Sequence, residues 1–181
     1  MSPSFRPATN ADLPSLRALA TQVYLDTYAS EGIRPSLARE AEQQFSMAAL
    51  QAELDRADRR IVLVEHAEHL IAFAQLSLGA CHQLVGDASS TELARLYVQA
   101  PFQRRGVGRL LLSRAEALAA AEGSATLWLT AWLENARALA FYRSQGYREL
   151  GSTIYTFEDE RYENRLFAKS LIVPGRDRDA G

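Results

Sequence analysis

The 181-residue chain contains one cysteine, Cys81, and one lysine, Lys169. A single cysteine cannot close an internal disulfide, so a disulfide-built fold is excluded and a reducing, cytoplasmic setting is expected. No apolar run approaches the roughly 18 residues that a membrane span needs. Met1 to Asn10 has prolines at positions 3 and 7 and no apolar stretch, so it does not read as a signal peptide. Lys and Arg number 20 against 22 Asp and Glu, a net charge of −2. General nucleic-acid binders carry a basic excess, so neither nucleic acid nor membrane is an expected partner. There is no G-x-x-x-x-G-K-[ST] and no G-x-G-x-x-G, which argues against P-loop and dinucleotide-binding sites.

What is present is an ordinary globular composition, 48% apolar and 23% charged, at a length that suits one domain. That domain is expected over residues 1–172, followed by a polar, unpatterned tail over 173–181. Phe5–Thr9 reads as a short edge strand, because Pro7 cannot donate to a ladder. Leu13, Leu16, Leu19 and Ala20 recur at helical spacing, with Thr9 or Asn10 as cap. Residues 29–36 hold Gly32 and Pro35 and read as a loop. Leu37–Phe45 predicts a second helix, and Ser46 caps a third that carries Met47, Leu50 and Leu54. Ile61–Val64 and Leu70–Leu78 predict an antiparallel hairpin. Glu92–Val98 and Thr126–Trp132 predict strands on either side of the clearest helix, Val107–Glu122, which ends on Gly123. Asn135–Gln145 predicts a helix between an Asn135 N-cap and Gly146. Tyr147–Phe157 and Asn164–Leu171 predict the last strands. The strand–helix–strand unit needs a crossover, hence parallel pairing. The fold class is α/β (α+β): a mixed sheet of about seven strands with helices on both faces.

The most informative stretch is Gln103-Arg104-Arg105-Gly106-Val107-Gly108, followed by Arg109. It follows a strand and opens the strongest helix. The first turn of a helix leaves about four N–H groups without partners, and with the helix dipole they form a site for phosphate. Gly106 and Gly108 allow close approach to the backbone. Arg104, Arg105 and Arg109 add charge-assisted donors.

These residues resemble the Q/R-x-x-G-x-G/A signature of the GNAT superfamily of N-acetyltransferases. Leu96-Tyr97-Val98, Pro101, the segment Asn135 to Tyr142 and Gln145-Gly146-Tyr147 are similar to that family in order and separation. Tyr24-Leu25-Asp26-Thr27-Tyr28, Leu127 to Trp132 and Tyr155–Leu171 further resemble a bacterial branch that includes spermidine/spermine acetyltransferases. The resemblance implies acetyl-CoA as co-substrate and no metal. It implies a V-shaped gap where Glu92–Val98 and Thr126–Trp132, a parallel pair, splay apart. The pyrophosphate would lie on the N–H groups of Arg104 to Arg109. The pantetheine arm would pair with the backbone of Leu96, Tyr97 and Val98, with the Val98 N–H polarising the thioester carbonyl. Asn135 would contact the pantetheine beside its capping role.

Tyr142 is the candidate acid that protonates the departing thiolate, a phenol of ordinary pKa about 10; the competing reading is that it only packs. The acceptor must attack as a neutral amine, and Glu92 is the nearest acidic residue that could serve as base. Ala94 stands where some relatives carry a glutamate. Alternation places Glu92 on a face with Ala94, Leu96 and Val98, and Arg95 with Tyr97 on the other, unless a bulge intervenes. Tyr24, Asp26 and Tyr28 suit a cationic acceptor through cation–π and ionic contacts. Trp128 and Trp132 read as core. His66 and His69 lack metal-site spacing, and the acidic run Glu158-Asp159-Glu160 reads as a solvated turn that could attract a polyamine at a distance. The resemblance leaves three functions in view: acetylation of a small amine such as a polyamine, acetylation of a protein N-terminus or lysine, and non-catalytic acyl-CoA sensing. Family members are often homodimers; no residue here bears on that.

Overall fold

The structure, a computed structural model, describes residues 3–171; the tail expected over 173–181 lies outside the described residues. The chain begins with β1 (Ser4–Pro7) and the helices α1 (Leu13–Tyr28), α2 (Pro35–Phe45) and α3 (Met47–Asp55). The strands β2 (Arg59–His66), β3 (His69–Ser77) and β4 (Ser90–Val98) follow. Then come α4 (Val107–Ala121), β5 (Thr126–Trp132), α5 (Ala136–Ser144), β6 (Arg148–Phe157) and β7 (Glu160–Ser170). The strands form one seven-stranded sheet in the order β1-β2-β3-β4-β5-β7-β6. Only β4 and β5 pair in parallel.

Local chemistry explains most boundaries. Thr9 and Asp12 form a capping box ahead of α1, with the Thr9 N–H donating to Asp12 Oδ2 at 2.8 Å. Pro35 opens α2, where its missing N–H leaves no gap in the ladder, so the loop expected through residue 36 stops two residues earlier. The Ser46 side chain accepts from the Ala49 N–H and starts α3. β7 begins at Glu160 rather than Asn164, because Glu160–Glu163 pairs with β6 while showing no apolar alternation.

The sheet is covered on both sides. One face packs against α4 and α5 through Leu111, Leu112, Ala115, Leu127 and Leu129. The other packs under α1, α2 and α3 through Leu16, Leu37, Phe45, Leu63 and Phe73. Strand alternation sends Val62 and Val64 to the first face and Ile61 and Leu63 to the second. Truncating a fully buried leucine in such layers costs about 2–5 kcal/mol.

One irregularity decides what the central strand presents. Gln75 pairs with Arg95, but Leu76 pairs with Leu93, so Ala94 is an extra residue in β4. This bulge reverses the alternation. Leu93, Leu96 and Val98 face the α4 side, whereas Glu92, Arg95 and Tyr97 share the face under α1 to α3. The simple alternation that grouped Glu92 with Leu96 and Val98 is therefore corrected.

Candidate active site

β4 and β5 are in register only at Ser90–Thr126, Thr91–Leu127 and Glu92–Trp128. Beyond these pairs they diverge, and a cavity of about 370 Å³ opens between them. The Gln99 N–H donates across the sheet to the Ile71 carbonyl of β3 at 3.0 Å. Because backbone groups alternate sides along a strand, the Val98 and Leu96 N–H groups face the opened edge and that of Tyr97 faces β3.

The turn after β4 runs into the same cavity. Arg104 and Gly106 both have positive φ, at 60° and 83°, which turns the chain sharply into α4. The first bond of the α4 ladder is Leu110 N–H to the Gly106 carbonyl, 3.0 Å. Among the described residues the N–H groups of Arg104 through Arg109 have no backbone acceptor. These N–H groups at the start of a helix form an anion cradle. Arg104 and Arg109 line the cavity. Arg105 instead lies 5.9 Å over the Phe102 ring, and the Val107 side chain is core, so Val107 contributes only its backbone. A Cβ on Gly108 would meet Phe141 and Val98 side-chain carbons at 3.8 Å, an ordinary contact.

Asn135 lines the cavity and caps α5, its Oδ1 accepting from the Ala138 N–H at 3.0 Å. The side-chain nitrogen stays available to a ligand. Tyr142 lies on the cavity wall at 8% exposure, among the rings of Phe141, Tyr147 and Phe167. Burial, and to a lesser extent the nearby Tyr97, pushes its phenol above the ordinary value, so the proton is held at neutral pH.

A second cavity, of about 560 Å³, adjoins the first. Tyr28, Ala94, Arg95, Tyr97, Thr130 and Trp132 line both. Trp132 is thus a cavity wall rather than core; Trp128 is buried and donates from Nε1 to the Ala80 carbonyl at 2.9 Å. The β6–β7 hairpin supplies Tyr155, Tyr162 and Asn164 to the wall of the second cavity. Glu158 pairs with Arg39 and Glu160 with Arg34, each at 2.7 Å, and Ser36 also donates to Glu160. The acidic run is therefore a clamp onto α2, with both glutamates paired.

Glu92 faces this second cavity and not the first. Burial pushes its carboxyl above the ordinary range, against the opposing pull of Arg59 and Arg95. Tyr24 also lines the second cavity, and Tyr28 reaches both. Asp26 is exposed and lines neither. Residues two apart on a helix point to different sides, so Asp26 cannot share the face of Tyr24 and Tyr28. The carboxylate that stands beside Tyr24 on the wall of the second cavity is instead Glu40 of α2, which sequence reading passed over. The signal was there: Leu37, Glu40, Ala41 and Phe45 form one buried helical stripe, and a glutamate within it calls for a reason. Arg95 was likewise hidden by the bulge. Cys81 is exposed and outside both cavities.

A model of the acetyltransferase (GNAT) family matches residues 23–147. The chain belongs to this family. It is an N-acetyltransferase with acetyl-CoA as donor. An uncharacterised N-acetyltransferase of Lactobacillus delbrueckii subsp. lactis is 24% identical over 161 residues, 89% of this chain and 93% of that protein. The ribosomal protein bS18-alanine N-acetyltransferase of Salmonella typhimurium is 38% identical over 80 residues, 44% of this chain and 53% of that protein. Among solved structures, the PaiA N-acetyltransferase of Thermoplasma acidophilum, in complex with coenzyme A, has a TM-score of 0.74 at 21% identity, covering 94% of this chain and 100% of that one. The GNAT fold thus accounts for the mixed sheet and its splayed pair.

Proposed function

We propose that this GNAT enzyme acetylates a primary amine on a small cationic molecule such as a polyamine, by direct attack on the thioester. The observation that carries the reading is the second cavity: lined by the clamped hairpin, walled by aromatic rings, and sharing residues with the first cavity at the splay. Tyr24, Tyr28, Tyr97, Trp132, Tyr155 and Tyr162 surround it, a lining that suits an alkylammonium. A peptide acceptor needs an open groove. The Salmonella relative supplies that second reading, acetylation of a protein N-terminus.

In this account the pyrophosphate of acetyl-CoA rests on the N–H groups of Arg104 to Arg109, with Arg104 and Arg109 as charged partners. Leu96, Val98 and the Asn135 amide hold the pantetheine arm. The Val98 N–H donates to the thioester carbonyl oxygen as negative charge develops there. Glu92, its basicity raised by burial, accepts the proton of the incoming ammonium through water in the second cavity. The amine nitrogen bonds to the acetyl carbon, the carbon–sulfur bond breaks, the Tyr142 hydroxyl gives its proton to the departing thiolate, and the second proton lost by the acylated nitrogen passes through water to restore the Tyr142 phenol. The acceptor assignment is tested by kcat/KM for spermidine and for a neutral-tailed primary amine of similar length, each at low and high salt. Spermidine should be preferred at both salt concentrations, since a buried charge such as Glu40 is screened far less than an exposed one. Equal use of the neutral amine, or use of an N-terminal peptide alone, overturns the polyamine assignment and leaves the acetyltransferase standing.

A further inference from the structure

Glu40 is a carboxylate at 4% exposure on the wall of the second cavity. Its partners are all neutral: Tyr155 OH donates to Oε1 at 2.7 Å, Gln44 Nε2 donates at 2.9 Å, and the Tyr24 hydroxyl completes the set. Among the described residues no arginine or lysine forms an ion pair with it. Two of the arginines on this wall are matched. Arg34 is held by Glu160, and Arg59 by Glu53 and Asp58. A buried carboxylate is costly without a cation, and three donors leave lone-pair capacity on it.

Arg95 is the counterpart. Its guanidinium donates to the side-chain oxygens of Gln75 and Gln44 and lies 5.2 Å over the Phe45 ring, with no carboxylate partner among the described residues. Gln44 therefore links the two charges, accepting from Arg95 and donating to Glu40. Arg95 lines both cavities, whereas Glu40 lines only the second. The cation stands at the junction where the amine must react, and the anion stands away from it.

We infer that Glu40 is the specificity residue that selects an acceptor with a second cationic group, set at a fixed distance from the amine that is acetylated. The inference rests on the small-amine reading above and deepens it. A diamine fits this charge order: its distal ammonium meets Glu40 while its reacting amine lies near Arg95, where a fixed positive charge favours the neutral form. A monoamine of the same length leaves the Glu40 carboxylate without a cation.

The test is acetylation of a series of α,ω-diamines by the wild-type protein, beside monoamines of equal length, and then by Glu40→Gln. Wild type should prefer the diamine at least tenfold in kcat/KM, with a KM minimum at one chain length. Glu40→Gln should erase that preference, the loss appearing in the diamine KM, with calorimetric CoA affinity serving as the check that the variant is folded. A preference that survives in folded Glu40→Gln overturns the inference. So does a wild-type KM that is flat with chain length, a result that does not depend on the variant folding. If the protein binds CoA and acetylates only peptides, the small-amine reading fails with it; monoamine turnover without diamine preference fails the Glu40 inference alone.

Discussion

Gln103 donates from Nε2 to the Val98 carbonyl at 2.8 Å, and its Oε1 accepts from Arg137 of α5. One side chain thus joins the end of β4, the phosphate turn and α5. The contact leaves the Val98 N–H facing the splay while its carbonyl is satisfied within the protein. In the proposed mechanism this holds the pyrophosphate cradle and the thioester donor in one unit, which would keep the reacting carbonyl in register with its donor.

The cradle makes a prediction about Gly108. A methyl group there meets only ordinary contacts, so Gly108→Ala should fold and bind CoA with modest loss. Gly108→Asp places a negative charge where the proposed site puts the pyrophosphate. CoA affinity should fall more than tenfold, a loss above about 1.4 kcal/mol. Calorimetry on the two folded variants checks this, and wild-type affinity in Gly108→Asp would remove the phosphate from the turn.

Tyr142→Phe keeps the ring among Phe141, Tyr147 and Phe167 and removes only the hydroxyl. The expected outcome is a kcat lower by about 10²-fold with CoA affinity little changed. Because burial raises this phenol, its proton is retained well past neutrality, and Tyr142 should give no falling limb in the pH–rate profile near neutral pH. An unchanged kcat, with chemistry shown to limit the rate, returns Tyr142 to packing.

Glu92 makes two linked predictions. Its carboxyl is raised by burial, so a rate limb that depends on it should lie above the ordinary carboxylate value of about 4.3. Glu92→Gln should remove that limb and lower kcat/KM. A raised folded pKa gives a contribution to stability fully present below the unfolded value and lost as pH rises through the folded one. Glu92→Gln should therefore melt higher than wild type at pH 7, with the gain fading toward pH 4. Thermal melts across that range check it, and a variant less stable at pH 7 would mean that the carboxylate is favourably paired.

How much of this was legible in the sequence depends on how local the signal is. The Gln103–Arg109 turn, the Ser46 and Asn135 caps and the parallel β4–β5 unit rest on adjacent residues and were readable. The Ala94 bulge was not, because it exists only in the register between β3 and β4. It moved Arg95 and Tyr97 onto the face of Glu92. The insertion of β7 between β5 and β6 is equally nonlocal, and it brings Tyr155 and Tyr162 over the second cavity. Asp26 was chosen by proximity to two tyrosines, where helical geometry turns it to solvent. Glu40 lay in a readable stripe, but its partners come from residues 24 and 155 and could not be seen along the chain.

The central claim is that the two joined cavities transfer acetyl from CoA to a small amine. Its most direct measurement is thiol release from acetyl-CoA by the wild-type protein across a panel of polyamines, monoamines and N-terminal peptides, with product mass read in the same samples. The account predicts stoichiometric thiol and a product 42 Da heavier, the mass of an added acetyl group less one hydrogen, with polyamines used best. CoA binding without thiol release on any amine would contradict it and leave an acyl-CoA sensor in its place.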